Sequence, residues 1–196
     1  MVYNWAMFVK DERPIILNAD QLRKSLQSSA ISRRFRKKVK RNEIYIILDN
    51  VLDTYNIGSI FRLADAVAAK KIYICGESEI PPNHRIKKAS INTTEVVEWE
   101  YCETAIKTIN DLRFTINDLQ VIAVEQTVNS IPYDKFEYKL PICLVVGHES
   151  DGVSPEVLKI SDAIVELPMF GINKSLNVMV SLGIVLYEVI SKACDS

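Results

Sequence analysis

Residues 43–66 read EIYIILDNVLDTYNIGSIFRLADA. The first half is a short run of Ile with Tyr, Leu and Val between polar residues, the composition of a strand buried on both faces of a parallel sheet. The second half carries apolar residues at helical spacing, so the stretch predicts a strand feeding into a helix. Working outward, the same alternation recurs. Short apolar runs appear at KIYICG, LQVIAVE, PICLVVG and DAIVELP. Helical patterns lie around IGSIFRLADAVAA, ETAIKTINDLRF, SPEVLKI and SLNVMVSLGIVLYEVIS. Strands alternating with helices argue for an α/β domain with a mainly parallel sheet and helices on both faces.

The length of 196 residues suits one domain of about 150 residues plus an appendage. Residues 1–43 read as a basic N-terminal extension and residues 44–196 as the main domain. From Asp20 the extension has the pattern of a basic helix, capped near Asn18 or Asp20. The apolar runs fall short of the roughly 18 residues a membrane span needs, and MVYNWAMFVKDERP shows no basic segment leading into an apolar one. A cytoplasmic location is therefore expected. The cysteines at 75, 102, 143 and 194 form no C-x-x-C pair, which points to reduced thiols and to neither a disulfide scaffold nor a zinc site.

The net charge of −1 hides an asymmetry. Residues 1–43 hold eleven Lys or Arg against four Asp or Glu, while the remainder holds 13 against 21. Arg33, Arg34, Arg36, Lys37, Lys38, Lys40 and Arg41 concentrate the positive charge. They read either as a solvated helix face or flexible linker, or as an arm that grips a polyanion. An acidic body beside them favours nucleic acid, because that body alone repels phosphates.

In open α/β folds ligands bind beyond the carboxyl ends of the strands, so the loops there are where chemistry is sought. Three stand out. In the first, Asn56 and Arg62 lie six residues apart across a helix start, on nearby but not identical faces, so both can approach one phosphate or ribose. The plain alternative is an N-cap and a surface arginine. Gly58 in the same first turn hints at a close backbone approach. The second loop, GHESDGVSPEVL, flanks Glu149 with Gly147 and Gly152, and Ser154 and Pro155 then start a helix as N-cap and first residue. No G-x-G pair or phosphate-cradling lysine loop occurs, which disfavours a conventional nucleotide-binding enzyme. The third loop, PMFGINKSLNVMV, crowds polar groups at the start of an apolar helix. Ser175 suits the cap, which places Asn177 in the first turn beside N–H groups that attract an acceptor or anion.

With the three loops together, residues 44–192 resemble the SpoU (TrmH-like) branch of the SPOUT RNA methyltransferases. The motifs appear in order as NIGSIFRLADA, VVGHESDGVSPEVL and ELPMFGINKSLNVMVSLGIVLYE. Two departures are mild: Ala68 stands where a glycine is usual, and Met179 replaces a common small residue.

The resemblance implies a deep C-terminal trefoil knot, which periodicity does not imply and which general connection rules disfavour. It also implies S-adenosylmethionine as methyl donor, no metal, a homodimer, and methylation of a ribose 2'-hydroxyl in RNA, tRNA favoured over rRNA. Carried over, the cofactor pocket comprises Ala123, Val124, Glu125, Gly147, Glu149, Leu167, Met169, Ser175, Leu176 and Asn177. Arg62, Asn56, Glu149, Ser175 and Asn177 form the catalytic set. Arg62 matches an arginine often proposed as a base, yet a guanidinium holds its proton throughout the physiological range, so phosphate grip and alkoxide stabilisation suit it better. For Glu149, holding its loop through backbone hydrogen bonds is an equal alternative to catalysis. The functional alternative is a catalytically silent RNA-binding or assembly factor on the same fold.

Overall fold

Residues 39–194 are described in a computed structural model of the chain. By their internal contacts, Arg41 and the residues after it form one unit. The seven strands are β1 (Asn42–Asp49), β2 (Ala69–Cys75), β3 (Trp99–Cys102), β4 (Gln120–Val124), β5 (Ile131–Pro132), β6 (Ile142–Gly147) and β7 (Ala163–Glu166). They form one sheet in the order β3-β2-β1-β6-β4-β7-β5. Every pairing is parallel. The helices are α1 (Thr54–Ala66), α2 (His84–Ser90), α3 (Ala105–Thr115), α4 (Pro155–Ile160) and α5 (Val178–Cys194).

The five strands read from the sequence are the interior ones. β6, at the centre, is covered on both faces, which is why it is buried from end to end and reads as an unbroken apolar run. The two unforeseen strands, β3 and β5, are the edges. β3 exposes Glu100 and Tyr101, and β5 ends in Pro132, a residue a strand tolerates only where its missing N–H is not needed. The short polar helix α2 was also unforeseen.

Successive residues of a strand point to opposite faces, and the core divides accordingly. Tyr45 and Ile47 of β1 join Val121, Cys143 and Val145 beneath Ile109 and Leu112 of α3 and Val157 of α4. The intervening Ile44, Ile46 and Leu48 are wholly buried on the other face, where α1 packs on β2 and α5 packs on β4 and β6. Burial pushes the thiol of Cys75 up to about 12 and raises that of Cys143 further, so both are inert core residues.

Arg33, Arg34, Arg36, Lys37 and Lys38, with the helix read from Asp20, lie outside the described residues. Lys40 is exposed. Arg41, grouped with the arm by its sequence, is instead bound into the body. Its guanidinium donates to the carbonyls of Val96 at 3.0 Å and Ala69 at 3.5 Å, and lies 3.8 Å from Asp65. Asn42 and Glu43 likewise belong to β1. A cation satisfied by two carbonyls and a carboxylate has little left to offer a phosphate.

One departure from the family pattern has a conformational reading. Ala68 sits at φ +49°, in the left-handed region where glycine is the unstrained choice. No helix among the described residues is long and apolar enough to cross a membrane.

A candidate active site at the carboxyl edge of the sheet

Asp49 ends β1 level with Gly147 at the end of β6, so the loops after these strands emerge side by side. The Asp49 carboxylate accepts the Ser154 N–H at 2.9 Å and thereby anchors the start of α4. Ser154 does occupy the N-cap position with Pro155 behind it, but its hydroxyl makes no capping bond.

Between these points residues 148–152 form a tight hairpin closed by reciprocal backbone bonds between His148 and Gly152, at 2.9 and 3.0 Å. Two glycines are required here. Gly152 has φ +72°, and a Cβ on Gly147 would collide with the Gly152 backbone. Inside the hairpin, His148 Nδ1 accepts the N–H groups of Ser150 and Asp151 at 3.1 and 3.2 Å. His148 thus holds the turn.

The hairpin projects Glu149 at the loop after β1. Its Oε2 accepts the Leu52 N–H at 3.1 Å; its Oε1 accepts the Asp53 N–H at 3.0 Å and the Asn56 amide at 2.9 Å. Burial works to raise this carboxyl, yet the bonds from Asn56, Asp53 and Leu52 outweigh it and hold it below its ordinary value. Asn56 is buried, and its other end accepts the Asn177 amide at 3.0 Å. Asn177 Oδ1 in turn accepts the N–H groups of Met179 and Val180 at 3.0 and 3.4 Å. Asn177, rather than Ser175, therefore caps α5, while α1 is capped by Asp53, which accepts the Tyr55 N–H at 2.7 Å. The result is a continuous polar bridge, Glu149 to Asn56 to Asn177, joining all three loops.

Beside the bridge lies a cavity of about 380 Å³. Of the predicted cofactor residues, Val124, Glu125, Gly147, Glu149, Leu167, Met169, Ser175, Leu176 and Asn177 line it. Ala123 does not: it is wholly buried among Tyr45, Ile47 and Val145 in the sheet core. Val124 alternates to the other side, so the strand's period of two separates neighbours that a linear motif grouped together. Gln126, His148, Ser150, Val178 and Ser181 also line the cavity; their adjacency to the motif residues was the available signal.

The lining contains the carboxylates Glu125, Glu149 and Glu166 and no Lys or Arg. That electrostatic character suits a cationic or neutral ligand with apolar parts and opposes a phosphate. Glu125 also supports the wall, accepting the Val153 N–H at 3.0 Å and the Gln126 N–H at 2.8 Å.

Arg62 stands on the exposed side of α1 and forms no ion pair among the described residues. It is not part of the cavity wall. Six residues of helix separate it from Asn56 by about 9 Å along the axis and about 120° around it. The close backbone approach expected at Gly58 is that of α2: a Cβ there would stand 2.6 Å from the Ala89 Cβ and 2.7 Å from the Ile86 carbonyl.

Known proteins resemble this chain in sequence and fold. A tRNA (guanosine(18)-2'-O)-methyltransferase from Aquifex aeolicus is 33% identical over 153 residues, spanning 76% of this chain and 69% of its own length. The enzyme of that name from Escherichia coli is 25% identical, and the match spans 76% of this chain and 63% of the relative. Among solved structures, the TrmH/SpoU tRNA modifying enzyme of A. aeolicus superposes with a TM-score of 0.71 at 27% identity, covering 82% of this chain and 81% of that one. A Streptomyces viridochromogenes SpoU methyltransferase in complex with AdoMet shares the fold, with a TM-score of 0.73 at 21% identity over 82% of this chain and 64% of its own. Residues 43–187 match the SpoU rRNA Methylase family, a span that takes in β1, the bridge and the cavity, and the chain belongs to that family.

Proposed function

We propose that the chain transfers a methyl group from S-adenosylmethionine to a ribose 2'-hydroxyl of RNA, tRNA favoured over rRNA. The observation that carries this reading is the bridge from Glu149 through Asn56 to Asn177 beside a cavity whose lining, among the described residues, has three carboxylates and no Lys or Arg. Family membership supports the reaction class, and the names of the A. aeolicus and E. coli relatives support the lean to tRNA.

The wall fits the methyl donor. Leu167, Met169 and Leu176 offer apolar surface for an adenine and a methionine chain, and the carboxylates complement a cation. When bound, the donor supplies an electrophilic methyl on a sulfonium and departs as a neutral thioether. What remains for the protein is to align the ribose oxygen and stabilise the charge that develops there. Arg62, exposed and unpaired among the described residues, grips the phosphate next to that ribose and stabilises the alkoxide. Ser175, on the cavity wall, contacts the ligands. Glu149, Asn56 and Asn177 are positioning residues, because the hydrogen bonds that join them already engage their polar ends.

The C-terminal region is knotted in this reading. Its support is the path of the chain, which leaves β7 beyond β4 and returns so that α5 packs on α1, β6 and β4. The working form is a homodimer, supported by an apolar surface that includes Phe170 and Ile172, 96% and 103% exposed, together with Val180 and Tyr187 of α5. The residues before Arg41 make up the extension, whose cations outside the described residues add affinity for RNA phosphates.

Radiolabelled methyl transfer to unmodified bulk tRNA and, separately, to rRNA tests the reading. The expected result is a 2'-O-methylated nucleotide after nuclease digestion of the tRNA pool. Label confined to rRNA would remove the tRNA lean; protein that binds no S-adenosylmethionine would remove the reaction.

A further inference from the structure

At the loop that follows β1 lies a second groove, of about 400 Å³. Residues 52–55 form one wall; Glu79, Asn83, His84 and Arg85 form the other. Leu52 and Asp53, whose N–H groups bond to Glu149, belong to this lining.

The groove has the parts that recognise a nucleotide. Tyr55 is 51% exposed on its wall and presents a ring on which a base can stack. Arg85 stands at the rim on α2, whose sequence HRIKKAS also exposes Lys87 and Lys88 and contains no acid. Because α2 packs on α1, this cationic strip and exposed Arg62 belong to one pair of packed helices. The helix end itself is not the anion site: Asn83 Oδ1 already caps it, accepting the Arg85 and Ile86 N–H groups at 2.9 and 3.3 Å. That leaves the Asn83 amide nitrogen as a donor into the groove. Of the two acidic residues on the walls, Asp53 is taken up capping α1. Glu79 offers an acceptor for the amino group of a base edge and disfavours a second phosphate.

We propose that this groove seats an RNA nucleotide flanking the methylated one, with its base on Tyr55 and its phosphate on Arg85. The proposal rests on the RNA methyltransferase reading and extends it to substrate recognition.

The test is steady-state methyl transfer by the full chain to the RNA pool that accepts label, with variants Tyr55→Ala, Tyr55→Phe and Arg85→Ala. Tyr55→Ala should raise the RNA KM roughly tenfold, the loss of one stacked base, leaving kcat and the S-adenosylmethionine KM within about twofold. Tyr55→Phe keeps the ring and should retain the parent KM, which separates stacking from a folding defect. Arg85→Ala should weaken RNA binding and reduce the slope of log KM against log salt by about 0.7, the contribution of one phosphate contact on a single strand. Unchanged RNA KM and salt slope in both alanine variants would overturn the groove while leaving the methyltransferase reading intact. If the parent transfers no methyl to either pool, filter binding of the same RNA decides: weaker retention by both alanine variants sustains the groove alone, and no RNA binding by the parent overturns it with the parent reading.

Discussion

Helices α3 and α5 lie on opposite faces of the same sheet and begin differently. α3 is capped by its own neighbour, with Thr104 Oγ1 accepting the Lys107 N–H at 3.3 Å. The cap of α5, Asn177, uses its oxygen for the same local purpose and its nitrogen to reach Asn56, 121 residues away in sequence. A local cap secures one helix end; a shared cap fixes two loops relative to each other. The α1 and α5 face is where a cap is shared, and that is where the candidate site lies.

The largest expected effect tests whether that face does chemistry at all. Arg62→Lys should lower single-turnover methyl transfer by roughly 100-fold, the scale of losing one transition-state donor, with S-adenosylmethionine affinity and Tm unchanged. Near-parental turnover at unchanged RNA affinity would dismiss the role of a planar, forked cation.

Next in size is Glu149→Gln, which removes the charge from three hydrogen bonds and presents an amide to N–H groups that need an acceptor. Methyl transfer should fall about 10- to 100-fold, in line with charge-assisted bonds worth about 1.5–3 kcal/mol. The pH dependence has a definite sign. A carboxyl held below its ordinary 4.5 contributes stability above that value and loses it as pH falls through the lower, folded value. S-adenosylmethionine binding, followed by calorimetry, should accordingly show no loss attributable to Glu149 as pH drops towards 4.5, and should weaken only below it. A loss centred near pH 6 would show that another group controls the site.

The comparison of caps itself is sharpened by three substitutions measured for Tm and cofactor affinity together. Thr104→Ala should cost about 1 kcal/mol of stability and leave affinity untouched. Asn177→Ala should cost a similar amount and also weaken affinity. Asn177→Asp keeps the cap but loses the donor to Asn56, so stability should hold while affinity falls. If Asn177→Asp behaved as the parent in both, the long-range half of the cap would be functionally idle.

The smallest effect belongs to Ala68→Gly. Relieving a left-handed φ of +49° should raise stability by a few tenths to about 1 kcal/mol in thermal unfolding, with activity unchanged. No gain would mean that the added chain entropy of glycine cancels the relief.

The sequence shows which residue types stand at the candidate site but not which way they point. The loops at Asn56, Glu149 and Asn177 were visible as polar residues at helix starts, but a cap and a bridge look alike until the partner strand is known. Asn56 has the residue type of an N-cap, yet Asp53 caps α1 and Asn56 is buried in the bridge. Ser175 has the residue type of a cap for α5, a position Asn177 holds. Arg41 was counted with the RNA-binding cations because charge is additive along a sequence; in space it is spent on the carbonyls of Val96 and Ala69.

The sequence by itself determined the class of fold and the interior strands, because residues buried on both faces must be apolar wherever they pair. It also determined the three loops, whose glycines and polar caps follow from local backbone needs. Only the tertiary structure decided the strand order, the edge strands, and which loop meets which. Those contacts join residues up to 121 positions apart, and nothing within either local segment specifies the other. The Glu149 carboxylate acquires its role only when parallel pairing brings the end of β6 level with the end of β1.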